Sequence, residues 1–161
     1  MSNGHYRMDM PANEPAFRYM PGSEERENIQ RELERQMGEV VKIPLIIGGR
    51  EIWTEKTGVC TVPHLHSHVL AEYSVAGEKE LRAAIDAAME AKAAWESMPF
   101  EHRASIFLKA AALLTGPYRA VVNAATMLCQ SKTVHQAEID SACELADFFR
   151  FNAYYAQQIY E

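Results

Sequence analysis

The protein has 161 residues, 48% hydrophobic and 24% charged, which is enough chain to build one globular domain. Its formal net charge of −6 argues against nucleic acid or an anionic membrane as the main partner. No apolar run reaches the roughly 18 residues of a membrane span, and residues 1–20 read neither as a signal peptide nor as an Arg-rich transit peptide.

The N-terminal region is predicted to be an extended arm followed by a helix. Residues 1–20 show no periodicity and are expected to be ordered only by lying on another part of the protein. Ser23 is a candidate N-cap for a helix that Gly38 ends. Its apolar seam consists of Ile29, Leu33 and Met37. Residues 21–161 are interpreted as one incomplete α/β unit.

Strands are predicted between residues 45 and 75. Two β-prone runs in Leu45–Thr54 flank Gly48 and Gly49, which is typical of a hairpin with a primed turn. Further strands are predicted over residues 59–62 and 69–75, the second closed by Gly77.

From Glu78 to about residue 159 the pattern predicts three or four helices. The first ends at Pro99, the second at Gly116 and the third near Leu128. The last and longest runs from Gln130 to beyond Tyr155 without Pro or Gly. One of its faces is acidic and aromatic: Thr133, Gln136, Asp140, Glu144, Asp147, Phe151 and Tyr154.

Two interpretations of that acidic stripe remain open. It faces either a binding cavity or solvent, and few cations lie nearby in the sequence to pair with its carboxylates. Glu138 falls instead on the apolar face, where a buried carboxylate requires a partner. Arg103 and Lys132 are the candidates, and a structural ion pair is the expectation.

Histidine and cysteine give weak signals. His64, His66 and His68 invite a metal site, but they stand between Pro63 and Val69, where a polar turn is favoured. The three cysteines, Cys60, Cys129 and Cys143, lack metal spacing and a paired base. They are expected to be free packing residues in a reducing compartment, the cytoplasm or alternatively the mitochondrial matrix. The sequence also lacks a glycine-rich phosphate loop, so it shows no complete active site.

Several stretches in chain order resemble the N-terminal part of an aldehyde dehydrogenase, most closely the Δ1-pyrroline-5-carboxylate dehydrogenase subfamily. They are Arg103-Ala-Ser-Ile-Phe-Leu-Lys-Ala-Ala, Gly116-Pro-Tyr-Arg, Gln130-Ser-Lys-Thr, Gln136-Ala-Glu-Ile-Asp140 and Phe148-Phe-Arg-Phe-Asn152. Each motif is short, but five at the right spacing are specific. The resemblance implies the N-terminal segment of the aldehyde dehydrogenase fold, here a hairpin and short strands followed by three or four helices.

The same resemblance implies a function in proline degradation: the parent enzyme would oxidise glutamate γ-semialdehyde to glutamate with NAD. Its nucleophilic Cys, general-base Glu, oxyanion Asn and dinucleotide segment belong to later regions. None of the cysteines here matches the nucleophile, so this segment alone is expected to bind no NAD and to be inactive. Its expected partners are the remainder of the dehydrogenase chain and, for the intact enzyme, further copies in a homo-oligomer. The sequence stops at Glu161, just past the last helix, which fits a piece of something longer.

The resemblance also favours the cavity-facing interpretation of the stripe. Glu144 resembles an acidic residue near the substrate's α-amino end, and Asp140 and Phe148 flank it as weaker substrate-binding candidates. Two alternatives remain: a non-catalytic helical interaction module, and a metal-binding domain built on the three histidines.

Overall fold

The strands lie together in the first half of the chain and the second half is almost entirely helical, as the sequence predicts. The computed structural model describes residues 7–161. Its helices are α1 (Glu24–Met37), α2 (Glu78–Ser97), α3 (Phe100–Thr115), α4 (Arg119–Gln130), α5 (Val134–Ala137) and α6 (Glu144–Tyr160). Its strands are β1 (Val41–Ile43), β2 (Leu45–Ile47), β3 (Arg50–Ile52), β4 (Thr57–Val62) and β5 (Leu65–Ser74).

The predicted hairpin is formed by β2 and β3. Leu45 pairs with Ile52 in an antiparallel register. Gly48 and Gly49 connect the strands with φ of +57° and +74°, the two positive values that a type I′ turn requires. Glycine at both positions therefore fixes this turn.

The second sheet has the strand order β1-β5-β4 and contains one strand that the sequence pattern did not predict. β1 runs parallel to β5, with Val41 opposite Ala71, whereas β4 pairs with β5 in the antiparallel sense. β5 also begins earlier than expected, at Leu65. The interpretation of residues 64–68 as a turn is therefore wrong for His66 and His68, which lie on the strand.

The core lies where α1 and the sheet meet α4. Ile29 of α1 packs with Tyr19 of the arm and Ala124 of α4. Leu33 and Met37 pack against a second buried group, Val62, Leu70 and Leu128. The predicted apolar seam of α1 is thus the face that it buries. Ser23 stands at the predicted N-cap position, but its hydroxyl makes no capping hydrogen bond.

The predicted long helix is interrupted in two places. α4 continues to Gln130, and Ser131 ends it in the left-handed conformation, with φ of 52°. Thr133 then caps α5 by accepting a hydrogen bond from the Gln136 N–H. A π-helical turn, Glu138–Cys143, joins α5 to α6. The prediction of one regular helix from Gln130 is therefore wrong at its start, and the wider π turn changes the phase of the side chains that follow.

Helix α2 buries none of its residues, although its sequence is amphipathic. Leu81, Ile85 and Met89 are 59%, 62% and 63% exposed. Their spacing of four residues places them on one face of the helix. Within residues 7–161 that apolar face has no covering element, and no helix there is long and apolar enough to cross a membrane.

Candidate functional site

A fully buried carboxylate, Glu138, lies at the start of the π-helical turn. Its Oε1 accepts a hydrogen bond from the Phe17 backbone N–H at 2.7 Å. Its Oε2 accepts hydrogen bonds from the Tyr19 hydroxyl and the Asn123 amide, both at 2.7 Å. Arg119 completes the set by donating to both oxygens. A buried charge is stable only when it is paired in this way.

This arrangement sets the ionisation of the groups around Glu138. Burial would raise the pKa of Glu138, but hydrogen bonds from Arg119, the Phe17 N–H and Tyr19 outweigh it and leave the pKa below its ordinary value. Burial together with the neighbouring carboxylate raises the pKa of Tyr19. The same two causes raise the pKa of Cys143 to about 11. That thiol therefore stays protonated at neutral pH, so it is poorly suited to act as a nucleophile.

The N-terminal arm is tied into this cluster through Glu14. Glu14 Oε1 lies 2.6 Å from Arg119 Nη1, and its Oε2 lies 2.7 Å from Arg150 Nη1. The Glu14 backbone N–H donates to Asp147 Oδ1 at 2.7 Å. The arm thus contributes one carboxylate that joins a cation on α4 to a cation on α6.

The predicted partners of Glu138 are wrong, although the expected buried ion pair exists. Lys132 binds Asp140 Oδ2 at 2.5 Å instead. Arg103 lies on α3, where its Nη2 donates to the Tyr160 hydroxyl at 3.0 Å. The true partner, Arg119, was missed because it opens α4 nineteen positions before Glu138. In the sequence, the only feature that points to Arg119 is its place in the Gly116-Pro-Tyr-Arg motif.

The three predicted substrate-binding residues lie in different environments. Glu144, the first residue of α6, is exposed, and its carboxylate has no ion pair within residues 7–161. Phe148, one turn further along α6, is half exposed and lines a cavity. Asp140 lies in the π-helical turn and is occupied by Lys132. The remaining acid of the predicted stripe, Asp147, is held by Arg150 and the arm rather than facing solvent.

The cavity beside Phe148 is aromatic and lies between α3 and α6. Its volume is about 410 Å³. Its aromatic lining consists of Trp95, Phe100, Phe107, Phe148, Phe149 and Tyr160. Arg103 Nε is buried at this cavity without a hydrogen-bond partner among the described residues. The cavity is therefore apolar with one cationic group at its wall, and Glu144 stands one turn from its edge.

The start of α2 does not fit the pyrophosphate of a dinucleotide, and the described residues do not form a metal site. Pyrophosphate often binds at a helix start that a glycine opens, where backbone N–H groups are free. The Gly77 N–H before α2 is already occupied by the Glu80 carboxylate at 2.9 Å, and Glu78 adds a second negative charge there. No group of three ligating side chains lies together within residues 7–161. His64 instead contacts the Ser131 hydroxyl at 2.7 Å, so the three histidines do not form the metal cluster considered above.

Comparison with known proteins identifies the family. The sequence model of the aldehyde dehydrogenase family matches residues 53–161, which is more than half of the chain. The chain belongs to the aldehyde dehydrogenase family. The resemblance inferred from the short motifs is therefore confirmed.

Curated proteins that this chain resembles include Δ1-pyrroline-5-carboxylate dehydrogenases of several organisms. The human mitochondrial protein is 45% identical over 148 residues, 92% of this chain and 26% of the human protein. The mitochondrial protein of Dictyostelium discoideum is 45% identical over 154 residues, 94% of this chain and 27% of its own length. The chain thus spans about a quarter of the aldehyde dehydrogenases that it matches.

Solved aldehyde dehydrogenase structures give the same relationship. The Δ-pyrroline-5-carboxylate dehydrogenase of Mycobacterium tuberculosis superposes with a TM-score of 0.97 at 42% identity, covering 100% of this chain and 30% of that one. A second structure of that enzyme is described as bound with NAD. The Thermus thermophilus enzyme superposes with a TM-score of 0.85 at 31% identity, covering 94% of this chain and 29% of its own. The chain therefore has the fold of the N-terminal part of an aldehyde dehydrogenase.

Proposed function

We propose that this chain is the N-terminal segment of an NAD-dependent dehydrogenase that oxidises Δ1-pyrroline-5-carboxylate, as the open-chain glutamate γ-semialdehyde, to glutamate. The observation that carries the proposal is the likeness to proteins of that description along more than nine-tenths of the chain, in sequence and in fold. The alternative of a non-catalytic helical interaction module gains no support from these likenesses.

Within that enzyme we assign substrate recognition to Glu144. The semialdehyde carries an ammonium group that a plain alkyl aldehyde lacks, and an exposed carboxylate without a competing cation can hold it by a charge-assisted hydrogen bond. Phe148 lies at the i+4 position on α6 and offers apolar surface for the methylene groups of the substrate. Asp140 has a lesser part because Lys132 already neutralises it.

The redox chemistry of this enzyme belongs to residues outside this chain. NAD, when bound, accepts the hydride, but the described residues offer no binding site for NAD. The Cys143 thiol is buried and its pKa is raised by burial and by Glu138. The contribution of this chain is therefore to bind and orient the amino-acid end of the substrate.

Substitution of Glu144 by Gln in the full-length enzyme tests this assignment. A hydrogen bond to a charged group contributes about 1.5–3 kcal/mol, so kcat/KM for the semialdehyde should fall roughly ten- to a hundredfold. An aldehyde without an ammonium should lose little, because it never made the contact. Glu34→Gln, which neutralises an exposed carboxylate on α1, is the matched control and should change neither substrate. An equal loss on both aldehydes, or no loss on either, would remove Glu144 from the site.

A second test concerns this chain in isolation. Purified residues 1–161 should show no aldehyde-dependent reduction of NAD, whereas the full-length protein should reduce NAD with the semialdehyde. The reaction is followed by NADH absorbance. Turnover by the isolated chain that disappears with one Cys→Ser substitution would contradict the proposed division of labour. An inactive full-length protein would contradict the dehydrogenase proposal itself.

The assembly and the compartment follow as further proposals. We infer that the rest of the dehydrogenase covers the exposed face of α2, and that the intact enzyme is a homo-oligomer, which sedimentation of the full-length protein tests. A reducing compartment, the cytoplasm or the mitochondrial matrix, agrees with the free thiols within residues 7–161. Cell fractionation decides between these two, and recovery from an oxidising compartment would contradict both.

A further inference from the structure

Two cysteines that are far apart in the sequence meet at the surface. Cys60 lies on β4 and Cys129 in the last turn of α4, and their sulphur atoms are 3.8 Å apart. This separation is a van der Waals contact, and an S–S bond of about 2.05 Å would shorten it by less than about 2 Å. The dehydrogenase reaction proposed above uses neither thiol.

The two thiols differ in access to solvent. Cys129 is exposed and Cys60 is half-buried. The third cysteine, Cys143, is buried beside Glu138 at the other end of the π-helical turn. An oxidant in solution therefore meets Cys129 first, finds Cys60 next to it, and does not reach Cys143.

The backbone around the pair is already held together without a covalent bond. α4 packs against β4, and His64 in the turn after β4 contacts the Ser131 hydroxyl at 2.7 Å. Both cysteines also stand where a regular element is perturbed. The register of β4 shifts directly after Cys60, and α4 ends one residue after Cys129. Such positions can absorb the small adjustment that an S–S bond demands.

We propose that Cys60 and Cys129 form a reversible dithiol–disulfide pair, a modification site that exchanges with low-molecular-weight disulfides of the glutathione class. The bond would link β4 to the end of α4, and with it the turn that precedes α5. It would therefore fix the segment that carries Lys132, the partner of Asp140.

The exchange balances in two steps. The Cys129 thiolate attacks one sulphur of the oxidant, whose S–S bond breaks and releases one thiolate. The Cys60 thiolate then attacks the Cys129 sulphur, the mixed disulfide breaks, and the second thiolate leaves. The two cysteines lose two electrons and two protons, and the oxidant gains them as it becomes two thiols. Partial burial and the adjacent Cys60 thiol raise the pKa of Cys129, so the first step should quicken as the pH rises.

The experiment treats the purified, reduced protein with oxidised glutathione under native conditions, blocks the remaining thiols and maps the peptides by mass. We expect one disulfide joining Cys60 to Cys129, with Cys143 recovered as a blocked thiol. The melting temperature should rise by about 5 °C on oxidation and return on reduction, because the cross-link closes a long loop. Cys143→Ser, the matched control, should behave like the parent protein.

The variant Cys60→Ser separates a true pair from a merely reactive thiol. Its Cys129 should keep glutathione as a lasting mixed disulfide, because the resolving thiol is missing. The amount of this adduct should be at least about ten times that found on the parent protein. The melt of this variant shows whether it is folded, and Cys129→Ser, which should take up no glutathione, serves as the second variant. Lasting glutathione adducts on the parent Cys129, or a disulfide that includes Cys143, would overturn the proposal.

Discussion

At the scale of single residues, Glu138 is the side chain whose loss should cost the most. It is fully buried and paired with Arg119, so Glu138→Gln removes the buried carboxylate of the pair and leaves the Arg119 guanidinium with Glu14 as its remaining carboxylate partner among the described residues. Breaking such a pair costs about 3–5 kcal/mol. Asp140→Asn, which breaks the partly exposed pair with Lys132, should cost no more than about 1 kcal/mol. Urea unfolding of the two variants measures the difference, and equal losses would show that burial does not set the cost.

The pH dependence of stability should also depend on Glu138. Burial opposes the charged form of Glu138, but hydrogen bonds from Arg119, the Phe17 N–H and Tyr19 lower its pKa in the folded protein. The other ionisable groups nearby are Cys143, which contacts Glu138, and Glu14, which contacts Arg119. A lowered carboxyl pKa stabilises the fold fully above the unfolded value of about 4.3, and this contribution is lost as the pH falls through the folded value. Glu138→Gln should therefore flatten the acid limb of a plot of unfolding free energy against pH. An unchanged slope below about pH 5 would contradict this linkage.

At the residue scale, the sequence predicted what a single side chain requires, but it did not predict which residues far apart in the sequence contact each other. The apolar position of Glu138 predicted a buried ion pair correctly, because no carboxylate is stable there alone. The identity of Arg119 was not predictable, since the pairing depends on how α4 crosses the π-helical turn. Glu14 was missed for the same reason: an arm without periodicity carries no signal of where it lies. The substrate-binding assignment of Glu144 stays a prediction.

At the scale of elements, the arm should behave as part of the fold from Met8 onward. The Met8 N–H donates to Gln157 Oε1 at 2.8 Å, and the Glu14 and Phe17 N–H groups donate to Asp147 and Glu138. These three amides should exchange with deuterium more slowly than the other arm amides.

Glu14→Gln should release the arm, because it removes the charge shared by Arg119 and Arg150. Exchange at Met8 and Glu14 should accelerate by about tenfold, which corresponds to roughly 1.4 kcal/mol of opening free energy. Asp9→Asn alters an exposed charge on the same arm and should leave the rates unchanged. Equal rates in both variants would mean that the ion pairs do not hold the arm.

Local signals explain which elements were predictable. The β2–β3 hairpin needs only two glycines with positive φ between β-prone runs, and it was predicted correctly. β1 pairs in parallel with β5 about thirty positions later. The three residues of β1 alone therefore carry no pattern that predicts a strand. The π-helical turn was missed because it satisfies its backbone internally like the helices beside it. A regular wheel places Glu144 and Asp147 on one face, whereas the structure leaves Glu144 exposed and ties Asp147 to Arg150 and the arm.

At the scale of the whole molecule, the exposed face of α2 decides how this chain behaves alone. Leu81, Ile85 and Met89 are each more than half exposed on one face. Phe107 of α3 and Tyr155 of α6 add further exposed aromatic surface, while Leu114 is buried with Ala111 and Ala146. Exposed apolar surface on one face of a helix is typical of a surface that contacts a partner when its patches are large.

Isolated residues 1–161 should therefore self-associate, and the association should depend on α2. Replacing Leu81, Ile85 and Met89 with Gln should shift the sedimentation profile toward monomer with little change in melting temperature, because each of these side chains is more than half exposed among the described residues. Leu128→Ala is the contrasting control: it empties a buried position, should cost about 2–5 kcal/mol, and should not relieve association. A monomeric parent chain with a sharp melt would show that residues 1–161 need no covering partner.

In the full-length enzyme the same triple substitution should instead lower the melting temperature, since there the α2 face is proposed to lie against the rest of the dehydrogenase.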